Sequence, residues 1–460
     1  MDDPDRYTYD PQTAPPDFGH AVRKFWGFED DYVNLNHGSY GSLPLPVLAQ
    51  CVKMSLLAEK NPDRFHRVTY MPLLAEVRRQ VAELIGAQNE EVVLVPNATH
   101  GLNTVLRNIE WREGDIILGA STTYNAIERT ANYLGDRSEP PRPTVYSVLY
   151  TFPMSHEAIV DSFRAKVREL KQKHHNTQFD IIPRDKDLTG KGNRFVAVID
   201  SITSVPGVRL PWKTLVQICR EEGIWSVIDA AHSIGQELNL ELSSAQPDFW
   251  VSNCHKWLYA KRGCAVLYVP LSNQHIIKSS VPTSHDYPSP GESSDNRFVS
   301  QHEWTGTMDQ VPYLSVTPAI AFRKWLGGED KINSYCHNLA IEGGKRLAEL
   351  LNTQVMDKTG ELTLNMTNVM LPLPFETSES KQLYPPEIVS KIAETFQNQF
   401  FNKWNTHPGI YFHGGGWWTR CSVQVWLEIS DFEYVAKVLN TICEEIKETI
   451  LKDSTESLKN

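Results

Sequence analysis

The stretch SNCHKWL puts a lysine where lysines are rare. Lys256 lies between two apolar runs, PDFWV and GCAVLYV, with His255 and Trp257 on either side. Burying an unpaired ammonium is costly, so a lysine between two core strands needs a reason. Asp229 ends an earlier apolar run, WSVID, and Asp200 ends another, FVAVID, followed by Thr203 and Ser204. VLVPNATHGLNTVLRNI reads as strand, turn and helix, the helix beginning near Thr99. The free N–H groups and positive end of its first turn suit a phosphate, and Asn97 and Thr99 could add side-chain donors. Each feature alone has an ordinary alternative: a helix cap, a polar turn, a snorkelling lysine. For Asp200, Thr203 and Ser204 the polar turn is the stronger reading; the phosphate-binding helix start, Asp229 and Lys256, in this order, are the set that pyridoxal phosphate chemistry uses. Burial lowers the amine pKa so that it attacks the aldehyde, and the aspartate keeps the pyridine nitrogen protonated so that the ring accepts electrons.

Such groups meet where parallel strands end, so the surrounding elements must form an open sheet. Helical patterns alternate with short apolar runs from about residue 46 to 270. MPLLAEVRRQVAELIGA keeps Leu73 or Leu74, Val77, Val81 and Leu84 on one face and stops at Gly86. EVVLV, DIILG, FVAVID, WSVID, FWVSN and CAVLYV read as strands, several of them apolar throughout, as strands covered on both faces are. This predicts an α/β fold with a mostly parallel central sheet and helices on both sides. DRSEPPRPT from Asp136 and the segment from Lys173 read as insertions, and HDYPSPGESSDNR from His285 as a mobile loop. A final helix from Phe432 spaces Val435, Val438, Leu439, Ile442 and Ile446. The expected division is an N-terminal segment over 1–45 that joins a small domain, a large cofactor-binding domain over 46–317, and a small C-terminal α+β domain over 318–460.

Bulk properties narrow the class. With 460 residues, 41% hydrophobic and 22% charged, the chain is of ordinary globular composition. A net charge of −11 argues against nonspecific nucleic-acid binding. No apolar run reaches membrane-spanning length, and the acidic, proline-rich start resembles neither a signal nor a transit peptide. Seven scattered cysteines show neither metal-ligand nor disulfide spacing. A reducing, cytoplasmic setting without metal or membrane is the expectation.

NLNHGSYGSLP, PNATHGLNTVLRNI, VIDSITSVPGVRLP, SNCHKWLYAKRGCAVLYVP, EWTGTMDQ and WWTRCSVQVWLEISDFE together resemble the class V aminotransferase family of fold-type I pyridoxal-phosphate enzymes. More narrowly, the chain resembles the branch of isopenicillin N epimerase-like proteins and fungal hercynylcysteine sulfoxide lyases. The resemblance implies that Lys256 is the Schiff-base lysine and that Asp229 pairs with the pyridine nitrogen. His232 would contact the ring hydroxyl from the side opposite Ser204, and Tyr124 would stack on the ring. Ala98, Thr99, Asn253 and His255 would hold the phosphate. Thr307 would reach the phosphate of a neighbouring subunit in a homodimer with shared active sites. Arg420 would grip the substrate carboxylate through a bidentate pair. His37, Ser39, Arg67, His302, His413 and Trp417 are candidates for the substrate pocket.

Two departures bear on function. Cysteine desulfurases of this class carry a persulfide-forming cysteine shortly before the carboxylate arginine, and no cysteine lies between Cys336 and Arg420. The sulfoxide lyases carry a basic run there, and this chain has HGGGWWTR, which implies a roomier, less cationic pocket. The leading expectation is a lyase that eliminates sulfur from Cβ of a cysteine derivative, such as a hercynylcysteine sulfoxide-like substrate. An epimerase or racemase, or a carbon–carbon bond-forming enzyme of fungal secondary metabolism, is the alternative. A transaminase, or a scaffold without cofactor, ranks below these.

Overall fold

Seven strands build the main sheet: β1 (Val92–Val95), β2 (Ile116–Ala120), β3 (Thr144–Val148), β4 (Phe195–Asp200), β5 (Trp225–Asp229), β6 (Phe249–Asn253) and β7 (Ala265–Tyr268). Their order is β1-β7-β6-β5-β4-β2-β3. The run from β6 to β3 is parallel, and β7 lies antiparallel to both β1 and β6. The structure is a computed structural model that describes residues 8–139, 141–179, 192–292, 297–376 and 383–452. Most of the insertion expected from Lys173, and parts of those from Asp136 and His285, lie outside the described residues.

β1, β4, β5, β6 and β7 are buried at every position, and β2 at its first three. Their Val, Ile, Phe and Trp side chains pack against helices on both faces, which is why they read as continuous apolar runs. β3, at the edge of the sheet opposite β1, differs in having exposed Thr144 and Ser147. The amphipathic helix Tyr70–Ile85 ends at Gly86, which adopts φ 64° and so takes the left-handed cap that favours glycine.

A second, three-stranded antiparallel sheet has the order β8-β10-β9, from β8 (Met366–Met370), β9 (Gly409–His413) and β10 (Gly416–Ser422). Helices Gly328–Leu351 and Ile429–Ile446 pack on each other over a separate core that also takes in Val22, Trp26 and Leu35. The N-terminal segment reaches this sheet through Ser422 N–H donating to the Leu35 carbonyl at 2.6 Å. It then crosses the turn between β6 and β7. Gly41 passes so close that a Cβ would lie 1.7 Å from the His255 carbonyl oxygen, so only glycine fits at its φ of 67°.

Candidate active site

Parallel β4 and β5 are in register with Asp200 opposite Asp229, so both carboxyls leave the sheet on one face at its carboxyl edge. Both are buried, at 3% exposure each. Asp229 Oδ1 accepts the Ala231 N–H at 3.1 Å; Thr123 hydrogen-bonds the Asp200 carboxyl, whose Oδ2 has no partner among the described residues. Burial pushes the Asp229 carboxyl up to about 6, and backbone hydrogen bonding and Lys256 pull it back. Burial and the neighbouring Asp229 charge push Asp200 well above the usual carboxylate range. Two adjacent buried carboxyls hold a proton between them or need a cationic N–H.

β6 delivers Asn253, and the tight turn after it delivers His255, Lys256 and Trp257. Lys256 Nζ lies 3.1 Å from His232 Nε2. Burial, and then the Arg420 charge, lower the Lys256 ammonium to about 8, against the opposing pull of Asp229. His232 is driven well below its ordinary value by burial and by the nearby cations, so its ring is neutral. His255 donates Nδ1–H to the Cys264 carbonyl at 2.9 Å and falls to about 4, chiefly through burial.

Arg420 comes from β10, in the second sheet. Its Nη1 donates to the Ser204 carbonyl at 2.7 Å, and its Nη2 to Asn36 Oδ1 at 2.6 Å and Ser39 Oγ at 2.7 Å. Its Nε is buried without a partner among the described residues. Arg323, equally buried, has Glu329 at 2.5 Å. Arg420 has no carboxylate partner among the described residues, and burial lowers it to about 10. A buried guanidinium satisfied only by neutral acceptors is a standing site for an anion.

The helix Ala98–Asn108 follows β1 with Asn97 as its cap, whose Oδ1 accepts the His100 N–H at 2.8 Å. The Ala98 N–H, expected to face a phosphate, donates instead to Asn253 Oδ1 at 2.9 Å. Ala98 and Asn253 thus satisfy each other, and Asn253 offers its Nδ2 as donor. Thr99 is half-buried beside them. Tyr124 caps the helix Asn125–Gly135 and is 48% exposed.

Other expected residues fall elsewhere. Ser39 does stand at Arg420. His37 lies under the site, its Nε2–H donating to the Lys256 carbonyl at 2.7 Å, so it braces the lysine backbone rather than lining an open pocket. Trp417 does not face the site: strand alternation turns it away from Arg420 into the small-domain core against Tyr384, Phe396 and Phe412. Arg67 is on the surface, paired with Asp63 at 3.4 Å, and none of its contacts brings it to Lys256. His302 is buried and donates Nδ1–H to the Phe298 carbonyl, while His413 accepts the Phe152 N–H through Nε2. Thr307 is exposed beside Gly306. Gly414 and Gly415 form a tight hairpin between β9 and β10, both at positive φ, so they shape a turn rather than widen a pocket. Sequence reasoning set Asp200 aside as a polar turn. The signal was available: FVAVID and WSVID end alike, and adjacent parallel strands bring like ends together.

A family model described as Aminotransferase class-V matches residues 40–139 and 155–378. An L-cysteine desulfhydrase-like protein of Epichloe uncinata is 33% identical, covering 93% of this chain and 96% of its own. The hercynylcysteine sulfoxide lyase of Schizosaccharomyces pombe is 32% identical over 93% of this chain and 98% of its own. A solved structure of a C-DES mutant with glycine covalently linked to its PLP cofactor shares the fold at TM-score 0.67 and 16% identity, covering 91% of this chain and 98% of that one.

Proposed function

The chain belongs to the class V aminotransferase family, and on that footing we propose a pyridoxal-phosphate-dependent carbon–sulfur lyase acting on cysteine or a cysteine derivative. The observation that carries this reading is the buried, acid-free Arg420 set among the groups that tune Lys256, a pocket for an amino-acid carboxylate next to a reactive amine. The residues fit the cofactor. The partnerless Asp200 Oδ2 beside Asp229 calls for a cationic N–H, which a pyridinium supplies. Asp229 would hold the ring nitrogen with Asp200 beside it, Lys256 the aldehyde carbon, and Tyr124 the ring face. Thr99, Asn253 Nδ2 and His255 would hold the phosphate. When bound, the cofactor supplies an electron sink for the pair left on Cα.

The protein's own groups do the rest. Arg420 fixes the carboxylate and so orients the Cα–H bond. Lys256 Nζ, held near neutrality by burial and Arg420, takes the α-proton. The sulfur then leaves Cβ with the bonding pair, and overall water consumes the remaining fragment to give pyruvate, or an analogous keto acid, and ammonia. Relatives named for cysteine desulfhydrase and sulfoxide lyase activity support sulfur as the leaving atom. All seven cysteines are buried, and Cys421 is pushed up to about 12, which disfavours transfer through an enzyme persulfide. The active unit in this reading is a homodimer in which Thr307, exposed on one chain, serves the partner's site.

The test is product analysis on purified protein with free cysteine, cysteine thioethers and cysteine sulfoxides. Pyruvate and ammonia released in equal amounts with a thiol or sulfenic product support the lyase. Recovery of substrate inverted at Cα, without pyruvate, rejects it in favour of an epimerase. Borohydride reduction should attach the cofactor to Lys256, and a Lys256→Ala protein that still traps it covalently would overturn the lysine assignment.

A further inference from the structure

An indole nitrogen can only donate a hydrogen bond. Trp257 Nε1–H donates to His232 Nδ1 at 3.2 Å, in a buried contact. The receiving nitrogen must carry a lone pair. A neutral imidazole with its lone pair on Nδ1 has its hydrogen on Nε2, and a protonated imidazole has no lone pair to give. His232 Nε2 is the nitrogen that faces Lys256 Nζ. We propose that Trp257 is a positioning residue that locks His232 in the neutral Nε2–H form, so that His232 presents a fixed donor that Lys256 Nζ accepts once the amine is neutral, and does not itself compete for the proton. The consequence for catalysis rests on the function proposed above; the lock itself does not.

The indole is held in place for this contact. The His37 ring meets it edge-on, with centroids 5.3 Å apart and planes at 69°. Ile202 and Met366 pack on it. Gly38 leaves it room, because a Cβ there would come within 3.1 Å of Trp257 Cζ2. Four other buried tryptophans, Trp225, Trp250, Trp417 and Trp426, have no partner for Nε1 among the described residues, whereas Trp257 spends its N–H on His232. The charged neighbours of His232 act in the same direction: Lys256 faces it from the β6–β7 turn and Arg420 from β10, while the facing rings of His255 and His37 are themselves driven to the neutral form by burial. Asp229, three residues before His232, is directed at Lys256 instead.

The experiment is nitrogen NMR on full-length protein labelled with ¹⁵N-histidine, with and without added pyridoxal phosphate, using His232→Gln to identify the signal. The lock predicts a pyridine-like Nδ1 and a protonated Nε2, unchanged between about pH 5 and 8, where an ordinary histidine changes charge. In Trp257→Phe, or with benzothienylalanine at position 257 to keep the bicyclic shape without the N–H, Nδ1 should become free. His232 should then titrate or exchange tautomers in that window, and the visible absorbance of bound cofactor should gain a matching ionisation. A protonated Nδ1 in the unmodified protein overturns the proposal, as does a variant that keeps both the same tautomer and a flat absorbance profile. Should Trp257→Phe not fold, the spectrum of the unmodified protein decides alone. A locked tautomer in a protein that releases no pyruvate rejects the lyase reading and leaves the lock standing.

Discussion

Lys256 is tuned by neighbours of opposite sign, and its pH behaviour follows from which one is removed. Burial and Arg420 lower it to about 8, while Asp229 raises it. The neutral amine captures the cofactor, so the rate of reconstitution of cofactor-free protein should climb as pH rises through about 8. Arg420→Gln removes a cation and should move that midpoint up; Asp229→Asn removes an anion and should move it down. Stopped-flow absorbance checks both, and a shift of the wrong sign in either would remove that residue from the electrostatic account. Arg420 carries a second expectation. Losing one partner of a desolvated charge pair costs on the order of 2–5 kcal/mol, so Arg420→Ala should lower kcat/KM by roughly 30- to several-thousand-fold. Arg420→Lys should recover part, since an ammonium lacks the planar fork. Steady-state kinetics measures both, and near-normal kcat/KM in Arg420→Ala would put the carboxylate anchor elsewhere. Lys256 and Asp229 stood out in the sequence because a charge beside apolar runs is conspicuous, whereas Arg420 was picked out only by the family resemblance. Asp200 did not, because its meaning comes from strand pairing, and Trp417 was misread because aromatic character says nothing about which strand face it takes.

At the scale of elements, the hairpin after His413 decides how Arg420 is presented. His413 pairs with Gly416, and Gly409 with Arg420, across a two-residue turn. Such turns need positive φ at both positions, and Asn-Gly is their preferred pair. Gly414, at φ 57°, has its nearest neighbour 3.3 Å from a built Cβ, whereas Gly415, at φ 85°, would come within 2.8 Å of the Glu376 carbonyl oxygen. Gly414→Asn should therefore leave the melting temperature almost unchanged. Gly415→Ala should lower it, because a Cβ in left-handed backbone costs at least roughly 1–2 kcal/mol of stability. Calorimetry on the two variants checks the order, and the reverse order would show that another constraint governs the turn. The buried parallel strands were readable as uninterrupted apolar runs. β3 was not, since an edge strand with exposed Thr144 and Ser147 after a proline-rich stretch reads as a loop.

At the scale of the whole molecule, the surface carries exposed apolar side chains at Tyr40 (73%), Val68 (60%) and Leu149 (73%). Among the described residues no helix is long and apolar enough to cross a membrane. A second copy is the proposed cover, with Thr307 crossing to the other site. Mixing a Lys256→Ala protomer with a Thr307→Val protomer, each defective alone, should restore one intact site per hybrid. Activity that stays at the sum of the separate variants after verified subunit exchange would reject shared sites. The change from alternating patterns to helices near residue 318 suggested a separate small C-terminal domain. The passage of the first forty residues across the lysine turn was not readable, because nothing in NLNHGSYGS says what lies beneath it.

That passage sets the order in which the site can come into being. Asn36 and Arg420 are 384 positions apart. On a ribosome adding about 5–20 residues per second, the N-terminal piece waits roughly 20–80 s for its partner strand to emerge. Lys256 is made well inside that interval, with its bracing histidine already present and its guanidinium neighbour still unsynthesised. The amine is therefore made before the guanidinium that lowers its pKa. The complete arrangement of Asn36, Ser39, Lys256 and Arg420 can assemble only when the last strand arrives.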